Sequence, residues 1–476
     1  MLATVLLILV YFLLLAVVAR FTTRRGNNTD FFSGGRRSPW WAVAFGMLGA
    51  SLSGVTFVSV PGMVHTSDMT YMQMCLGFVP GYVLVAFVLL PVYYRMGLTS
   101  IYTYLDDRFG LTAYRTGATF FLLSKLLGAS ARLFLVCLIL QRLLFDAIGF
   151  PFWLSAAVIL LIIWLYTHRG GIGTIVWTDC LQTVVMLIAL VLIIAALLST
   201  EGWGMSEAVH QVKANSLSRI FEFSDISSRQ YFWKQFLSGA FIVVVMTGLD
   251  QDMMQKNLTC RTLRESQKNM IVNGLLYIPV NFLFLGLGVL MFLFISRHDI
   301  AMPASTDEVM PMLCADGYLG KGALMFFTLG IVAATLSSAD SSLTALTTST
   351  CVDLFRRPTD EKLRHRVHIF MSLLVFGVIL AFRALNSTSV IDAVYTIASY
   401  TYGPLLGLFA FGLLMPKNVK PEPRAIPFIC IVAPFLCYFL ASFSASHWNY
   451  HFSYELLLLN GFITFFGLWL SKNSPS

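Results

Sequence analysis

The chain has 476 residues, of which 57% are hydrophobic and 12% charged, and carries a formal net charge of +8. Soluble domains average about 25% charged residues, and the apolar residues here form long runs such as Val184–Leu198, Leu283–Ile295 and Phe428–Phe443, so composition and arrangement exclude an ordinary soluble domain. Continuous rather than alternating apolar character excludes a transmembrane β-barrel, and Lys and Arg placed in alternate loops instead of one stripe exclude nucleic acid as a partner.

The hydropathy predicts an all-α polytopic membrane protein of about thirteen spans, near 1–20, 40–63, 74–95, 116–147, 150–167, 174–199, 232–252, 269–296, 321–352, 367–384, 390–415, 425–445 and 452–471. About 22 Lys and Arg fall in loops expected in the cytoplasm and about seven in loops expected outside. That asymmetry puts the N-terminus outside and the C-terminus in the cytoplasm. The first run, Leu2–Val18, lacks a basic start and a small-residue cleavage site, and Arg20, Arg24 and Arg25 follow it. It is expected to be a retained helix rather than a signal peptide.

The second span, from Gly46 to Gly62, carries four glycines, three serines, a threonine and Pro61. Two readings stand. Small residues pack helices closely in membranes. Alternatively the helix is unwound there, exposing carbonyl oxygens suited to sodium and hydroxyls suited to a polar solute. In the fourth span, Arg132 lies at mid-membrane with Lys125 two turns earlier on nearly the same face. A guanidinium offers a carboxylate a two-pronged hydrogen-bonding fork, and the alternative is a structural ion pair with an intramembrane aspartate. Asp179 opens the sixth span, as a cap at the interface or as a cation ligand. The external loop 200–231 is polar and holds Trp203 and a short amphipathic segment, a lid or a connector.

The ninth span reads Ala333-Ala334-Thr335-Leu336-Ser337-Ser338-Ala339-Asp340-Ser341-Ser342-Leu343-Thr344. At 100° per residue, Ser337, Asp340, Ser341 and Thr344 share a face, with Ser338 beside them. A carboxylate at that depth costs about 2.5–3.5 kcal/mol on insertion scales, a cost that a bound cation offsets. The eight cysteines have no metal-ligand spacing and the eight histidines no cluster, leaving His65 as the one candidate proton relay. No GxxxxGK[ST], HExxH or GxSxG motif stands in a catalytic context, so no enzyme is expected.

With these residues on the page, the chain resembles the sodium:solute symporter family over nearly its whole length. The likeness rests on Asp30-Phe31-Phe32-Ser33-Gly34-Gly35-Arg36 before Pro39-Trp40-Trp41, the second span, and Thr99–Phe109. It continues through Thr178–Gln182, Asp250-Gln251-Asp252-Met253-Met254-Gln255-Lys256, and Ser337–Ser342 followed by Asp353-Leu354. The resemblance implies a LeuT-like core of two inverted five-helix repeats, 40–199 and 232–415. Residues 1–39 precede it, 200–231 form the external loop, and 416–476 supply two further helices. By position it implies a sodium (Na+) site on the carbonyls of Gly49, Leu52 and Ala334 and the hydroxyls of Ser337 and Ser338. A second Na+ would use Asp179, Ser337, Asp340 and Ser341.

The residues by which sugar-transporting members read their substrate are absent, since Val55, Thr56, Val243 and Tyr277 stand at those positions. The Ser51–Phe57 pattern with Pro61 is more similar to the sialic-acid branch, which reads a carboxylate with an arginine matching Arg132. A pocket of Ser51, Ser53, Thr56, Gln73 and Arg132 follows, with Tyr400 and Tyr402 as a hinged gate before Gly403-Pro404. The expected function is Na+-coupled import of a small polar carboxylate, sialic acid first, through the bacterial inner membrane, by a monomer in the lipid bilayer. A sugar or other organic anion is the alternative substrate. A sensor on a transporter scaffold is the alternative class, but only six residues follow Leu470.

Overall fold

The computed structural model describes residues 2–22, 34–97, 100–167, 171–385 and 390–472; Asp30–Ser33, Thr99, His168 and the last four residues lie outside the described residues. The described chain is almost wholly helical, with two isolated bridges outside the helices. Seven helices are long and apolar enough to cross a bilayer, three further spans are bent pairs, and three shorter apolar helices complete the set. These correspond to the thirteen expected segments.

In chain order they are α1 (Leu2–Thr22), the pair α2 (Trp40–Ser51) and α3 (Gly54–Ser67), α4 (Tyr71–Leu84), α5 (Leu111–Leu140), α6 (Phe152–Thr167) and α7 (Ile172–Glu201). The second set comprises the pair α8 (Phe232–Val243) and α9 (Gln251–Asn257), α10 (Leu263–Arg297), α11 (Gly320–Ser349), α12 (Glu361–Leu385), and the pair α13 (Val390–Thr401) and α14 (Gly403–Leu414). Helices α15 (Ala425–Trp448) and α16 (Leu456–Leu470) follow. The bends are 57°, 71° and 43° in the three pairs. The expected repeats 40–199 and 232–415 each open on a broken helix. The break between α8 and α9 was not expected from the sequence, where 232–252 reads as one span.

Each break has a local cause. Leu52 leaves the helical region (φ −83°, ψ 72°) and Ser53 is extended (φ −70°, ψ 174°), which ends α2. A π-turn over Val244–Gly248 precedes Leu249, and Asp250 then caps α9 by accepting the N–H groups of Asp252 and Met253. Pro404 enters the first turn of α14, where its missing N–H costs nothing.

The distribution of polarity is that of a membrane protein. Leu9, Leu13, Phe428, Phe435 and Phe439 face outward, whereas Lys125, Asp179, Asp250, Asp252, Lys256 and Asp340 are buried. Glycine permits two close crossings. A Cβ on Gly49 of α2 would fall 2.0 Å from Thr183 Oγ1 on α7, so the small-residue reading of this span holds beside the broken-helix one. Between α4 and α8, a Cβ on Gly77 would meet Phe236 O at 2.0 Å and one on Gly239 would meet Met74 O at 2.2 Å. The obstacle is backbone and cannot rotate away. Gly239→Ala should therefore lose about 1–3 kcal/mol of stability, read as a lower melting midpoint in detergent. Gly377→Ala, with open space around the new Cβ, should melt as the parent does.

Arg108 ties α14 to the turn that follows it. Its guanidinium donates to Gly412 O (3.0 Å), Met415 O (2.7 Å), Pro416 O (2.7 Å) and Lys417 O (2.9 Å), satisfying the carbonyls that the end of α14 leaves unpaired. Asp353 accepts Tyr114 Oη at 2.9 Å nearby. These contacts explain two stretches that carried the family likeness without any assigned role.

Candidate functional site

The site begins at the break between α2 and α3. A helix end leaves its last carbonyls without intrahelical partners, and α11 passes beside them. Ser338 Oγ donates to Ala334 O (3.1 Å) and lies 3.4 Å from Ala50 O. From the adjacent position, Ser337 Oγ donates to Asp179 Oδ1 at 2.8 Å. Thr183 Oγ1 bonds both Asp179 O (2.7 Å) and Phe45 O (2.8 Å), locking α7 to α2. Helices α2, α7 and α11 are thus brought together, with Ala50 O and Ala334 O beside the Ser338 hydroxyl and the Ser337 hydroxyl on Asp179. Carbonyl and hydroxyl oxygens are the ligand class a hard cation takes. The negative dipole end of α2 points at the same place.

Asp179 does not cap its helix. The first turn of α7 begins at Ile172 behind Gly171, and Asp179 lies about two turns further in, fully buried. Its Oδ2 pairs with Lys256 Nζ at 2.7 Å, both side chains being 0% exposed. Lys256 lies 4.0 Å from Asp252 Oδ1, and Asp252 Oδ2 pairs with Lys125 Nζ at 2.6 Å. Lys125 also reaches Asp250 Oδ2 at 3.2 Å, and Tyr402 Oη donates to that oxygen at 2.6 Å. A continuous buried chain of charges therefore links all three helix breaks: Tyr402 at α13–α14, Asp250 at α8–α9, and Asp179 with Ser337 beside α2–α3.

Arg132 lies beside that chain without bonding to it. It forms no ion pair and donates no hydrogen bond among the described residues, although the field of its charge reaches Asp252. It lines a cavity of about 70 Å³ together with Ser51, Tyr82, Tyr277, Ser338 and Tyr395, and with Lys125, Asp250 and Asp252 of the charged chain. It also lines a smaller recess with Ser53 and Gly54. Ser53 is the N-cap of α3 and its side chain makes no capping bond. The positive end of α3 and the guanidinium thus meet at the smaller recess, of about 10 Å³, next to the larger cavity.

Of the expected pocket residues, the structure gathers Ser51, Ser53 and Arg132. Thr56 is buried just inside α3, its N–H bonded to Ser53 O at 2.9 Å. Gln73 lies elsewhere. Its Nε2 donates to Gln230 O (2.8 Å) and its Oε1 accepts Glu222 N (3.0 Å), so it straps the 200–231 loop to α4. Ser224 and Arg219 hold the Glu222 carboxyl in that strap below the usual carboxylate range. The loop's amphipathic segment is a helix over Met205–Ala214. Tyr400 lines a vestibule of about 690 Å³ at the loop end of the molecule, and Tyr402 is turned inward to Asp250. Between vestibule and inner cavity stands a different pair, Tyr71 and Tyr395, whose hydroxyls are 2.9 Å apart. Asp340 accepts the N–H (2.5 Å) and hydroxyl (3.1 Å) of Ser341 and lies near enough to Lys256 for their charges to interact.

Sequence reasoning missed Lys256, which it counted as a loop residue, and gave no role to Asp250 and Asp252. A signal was present: Asp252 and Lys256 are four apart, the spacing of neighbours on one helix face.

Comparison with known proteins follows from this geometry. The sodium:solute symporter family model matches residues 31–420. The human sodium/iodide cotransporter is 28% identical over 391 residues, covering 80% of this chain, which spans 60% of that relative's length. The sodium/sialic acid symporter NanT of Aliivibrio fischeri is 25% identical over 401 residues, covering 80% of this chain and 76% of the relative. Among solved structures, a substrate-bound, outward-open Na+-coupled sialic acid symporter superposes with a TM-score of 0.83 at 20% identity, over 98% of this chain and 97% of that one. At that identity the likeness establishes the fold.

Proposed function

We propose that this chain, which belongs to the sodium:solute symporter family, imports a small monoanion with Na+ by alternating access. The observation that carries the reading is Arg132: a guanidinium without an ion-pair partner among the described residues, facing a cavity at a helix break. Na+ would lie on the carbonyls of Gly49, Leu52 and Ala334 and the hydroxyls of Ser337 and Ser338. The anion would lie between Arg132, Ser51, Ser53 and the start of α3, with Thr56 behind them. The broken helix offers its negative end to the cation and its positive start to the anion. Loading one Na+ with one monoanion leaves the net charge of the site unchanged, so both helix halves are satisfied together. Tyr71 and Tyr395 act as the outer gate below the vestibule, with Tyr400 at its rim and Tyr402 holding the hinge of α13–α14.

Size narrows the solute. Pockets for drug-sized ligands measure about 300–1,000 Å³, whereas this cavity holds about 70 Å³. An iodide-sized ion or short monocarboxylate fits it. Relatives named as sodium/iodide and sodium-coupled monocarboxylate transporters, the latter 27% identical in the human form, support that class. Sialic acid, favoured from the sequence, requires the helices to part further; the likeness to sialic acid symporters keeps it as the second reading. Residues 40–199 and 232–415 would move as the two repeats. The protein would work as a monomer in the cell inner membrane, with the N-terminus outside and the C-terminus in the cytoplasm.

The test is uptake into proteoliposomes under an inward Na+ gradient, against a K+ control, with labelled iodide, pyruvate and N-acetylneuraminate. Na+-dependent uptake of iodide or pyruvate is expected. Uptake of N-acetylneuraminate alone would move the solute to the second reading, and transport confined to neutral solutes would sink the anion assignment. Ser338→Ala should raise the half-saturating Na+ concentration about tenfold, the equivalent of about 1.4 kcal/mol for one lost ligand, with little change in anion affinity at saturating Na+.

A further inference from the structure

The geometry points to Lys256 as a tethered cation that occupies the second ion position, so that this chain carries one mobile Na+ per cycle. The inference rests on the sodium-symport reading and deepens it.

From the resemblance, a second Na+ is expected on Asp179, Ser337, Asp340 and Ser341. Both oxygens of Asp179 are already engaged, Oδ1 by Ser337 Oγ at 2.8 Å and Oδ2 by Lys256 Nζ at 2.7 Å. Asp340 and Asp252 also lie close enough to act on the ammonium, Asp252 at 4.0 Å. Lys256 is fully buried, and an ammonium is a compact point charge with three donors on a flexible stem. It therefore supplies, from the protein, the charge that a free ion would bring to these carboxylates. Na+ in the same place would face Nζ across a shared carboxylate oxygen, an unfavourable like-charge contact.

The tether has a consequence for coupling. Lys256 belongs to α9, the short half beyond a 71° break, whereas Ser337, its neighbour through Asp179, is also a ligand in the proposed principal Na+ site. Rotation of α9 away from α7 would pull the ammonium from Asp179 toward Asp252 on its own helix. Asp179 would then be left unbalanced beside the Na+, holding the ion until α9 returns. A free second Na+ cannot do this, because it can leave.

The experiment is equilibrium binding of radioactive Na+ to the purified full-length protein in nanodiscs without any anion, counted per folded molecule. Wild type should bind one ion. Lys256→Met removes the ammonium and exposes Asp179 Oδ2 with the Ser337 and Ser341 hydroxyls, so it should bind two. Lys256→Arg, which keeps the cation, should stay at one. Two ions on wild type, or one on Lys256→Met, would overturn the inference while leaving sodium symport standing. No Na+ bound to wild type would fell the symport reading and this one with it. If Lys256→Met does not fold, the wild-type count decides alone: one upholds the inference and two rejects it.

Discussion

Arg132→Ala should abolish anion uptake, lowering the ratio of maximal rate to half-saturating anion concentration at least about 100-fold, while Na+ binding changes less than about threefold. A hydrogen bond to a charged group contributes about 1.5–3 kcal/mol, and a guanidinium can offer a carboxylate two. Losing both exceeds the 2.8 kcal/mol that corresponds to about 100-fold. The alternative read from the sequence, a structural ion pair, makes the opposite prediction for stability. Arg132 has no ion-pair partner among the described residues, so the alanine variant should melt within about 0.5 kcal/mol of the parent. Arg132→Lys keeps the charge without the fork and should fall between. For iodide, which cannot use the fork, the lysine variant should retain more transport than it does for pyruvate. Wild-type uptake by Arg132→Ala would remove this residue from the anion site and the main support for an anionic solute.

How much of this was legible in the sequence depended on whether a signal was local. The broken α2–α3 helix was legible because Ser51, Ser53, Gly54 and Pro61 weaken a helix wherever they stand. So was the polar face of α11, because helical spacing alone aligns Ser337 with Asp340, Ser341 and Thr344. Arg132 and Lys125 could be placed on one face by the same arithmetic, and both line the cavity. The break at Leu249 was not legible. It depends on a π-turn and an aspartate cap, and Val244–Gly248 carries no helix breaker before its glycine. The contacts of Gln73 and Tyr400 were not legible for another reason: a polar side chain in a span gives no hint whether it faces the inner cavity or a loop and vestibule folded over it. The pairing of Lys256 with Asp179 joins residues 77 apart in the chain, and no periodicity within one helix contains it. Reading positive charge as a mark of the cytoplasmic loops actively concealed it.

Lys125→Met should lose about 3–5 kcal/mol of stability, with no measurable transport. Lys125 is 7% exposed and holds two carboxylates, Asp252 at 2.6 Å and Asp250 at 3.2 Å. Its removal leaves both aspartates buried beside each other, and breaking a buried pair from one side carries that cost. The triple variant Lys125→Met/Asp250→Asn/Asp252→Asn tests the cause. With the charges gone together, and Asn still able to cap α9, stability should recover most of the loss. Transport should not recover, because the Tyr402 hydrogen bond and the charges of Asp250, Lys125, Asp252, Lys256 and Asp179 connect the three breaks only while the carboxylates and ammoniums remain charged. Coupled residues depart from additivity by about 0.5–3 kcal/mol, so the single and triple variants form a cycle whose residual measures the chain. A stable, inactive triple variant would assign these charges to moving the helices together rather than to holding the fold. A triple variant that transports would reduce the chain to packing, and a Lys125→Met protein that melts with the parent would mean that water already reaches both aspartates.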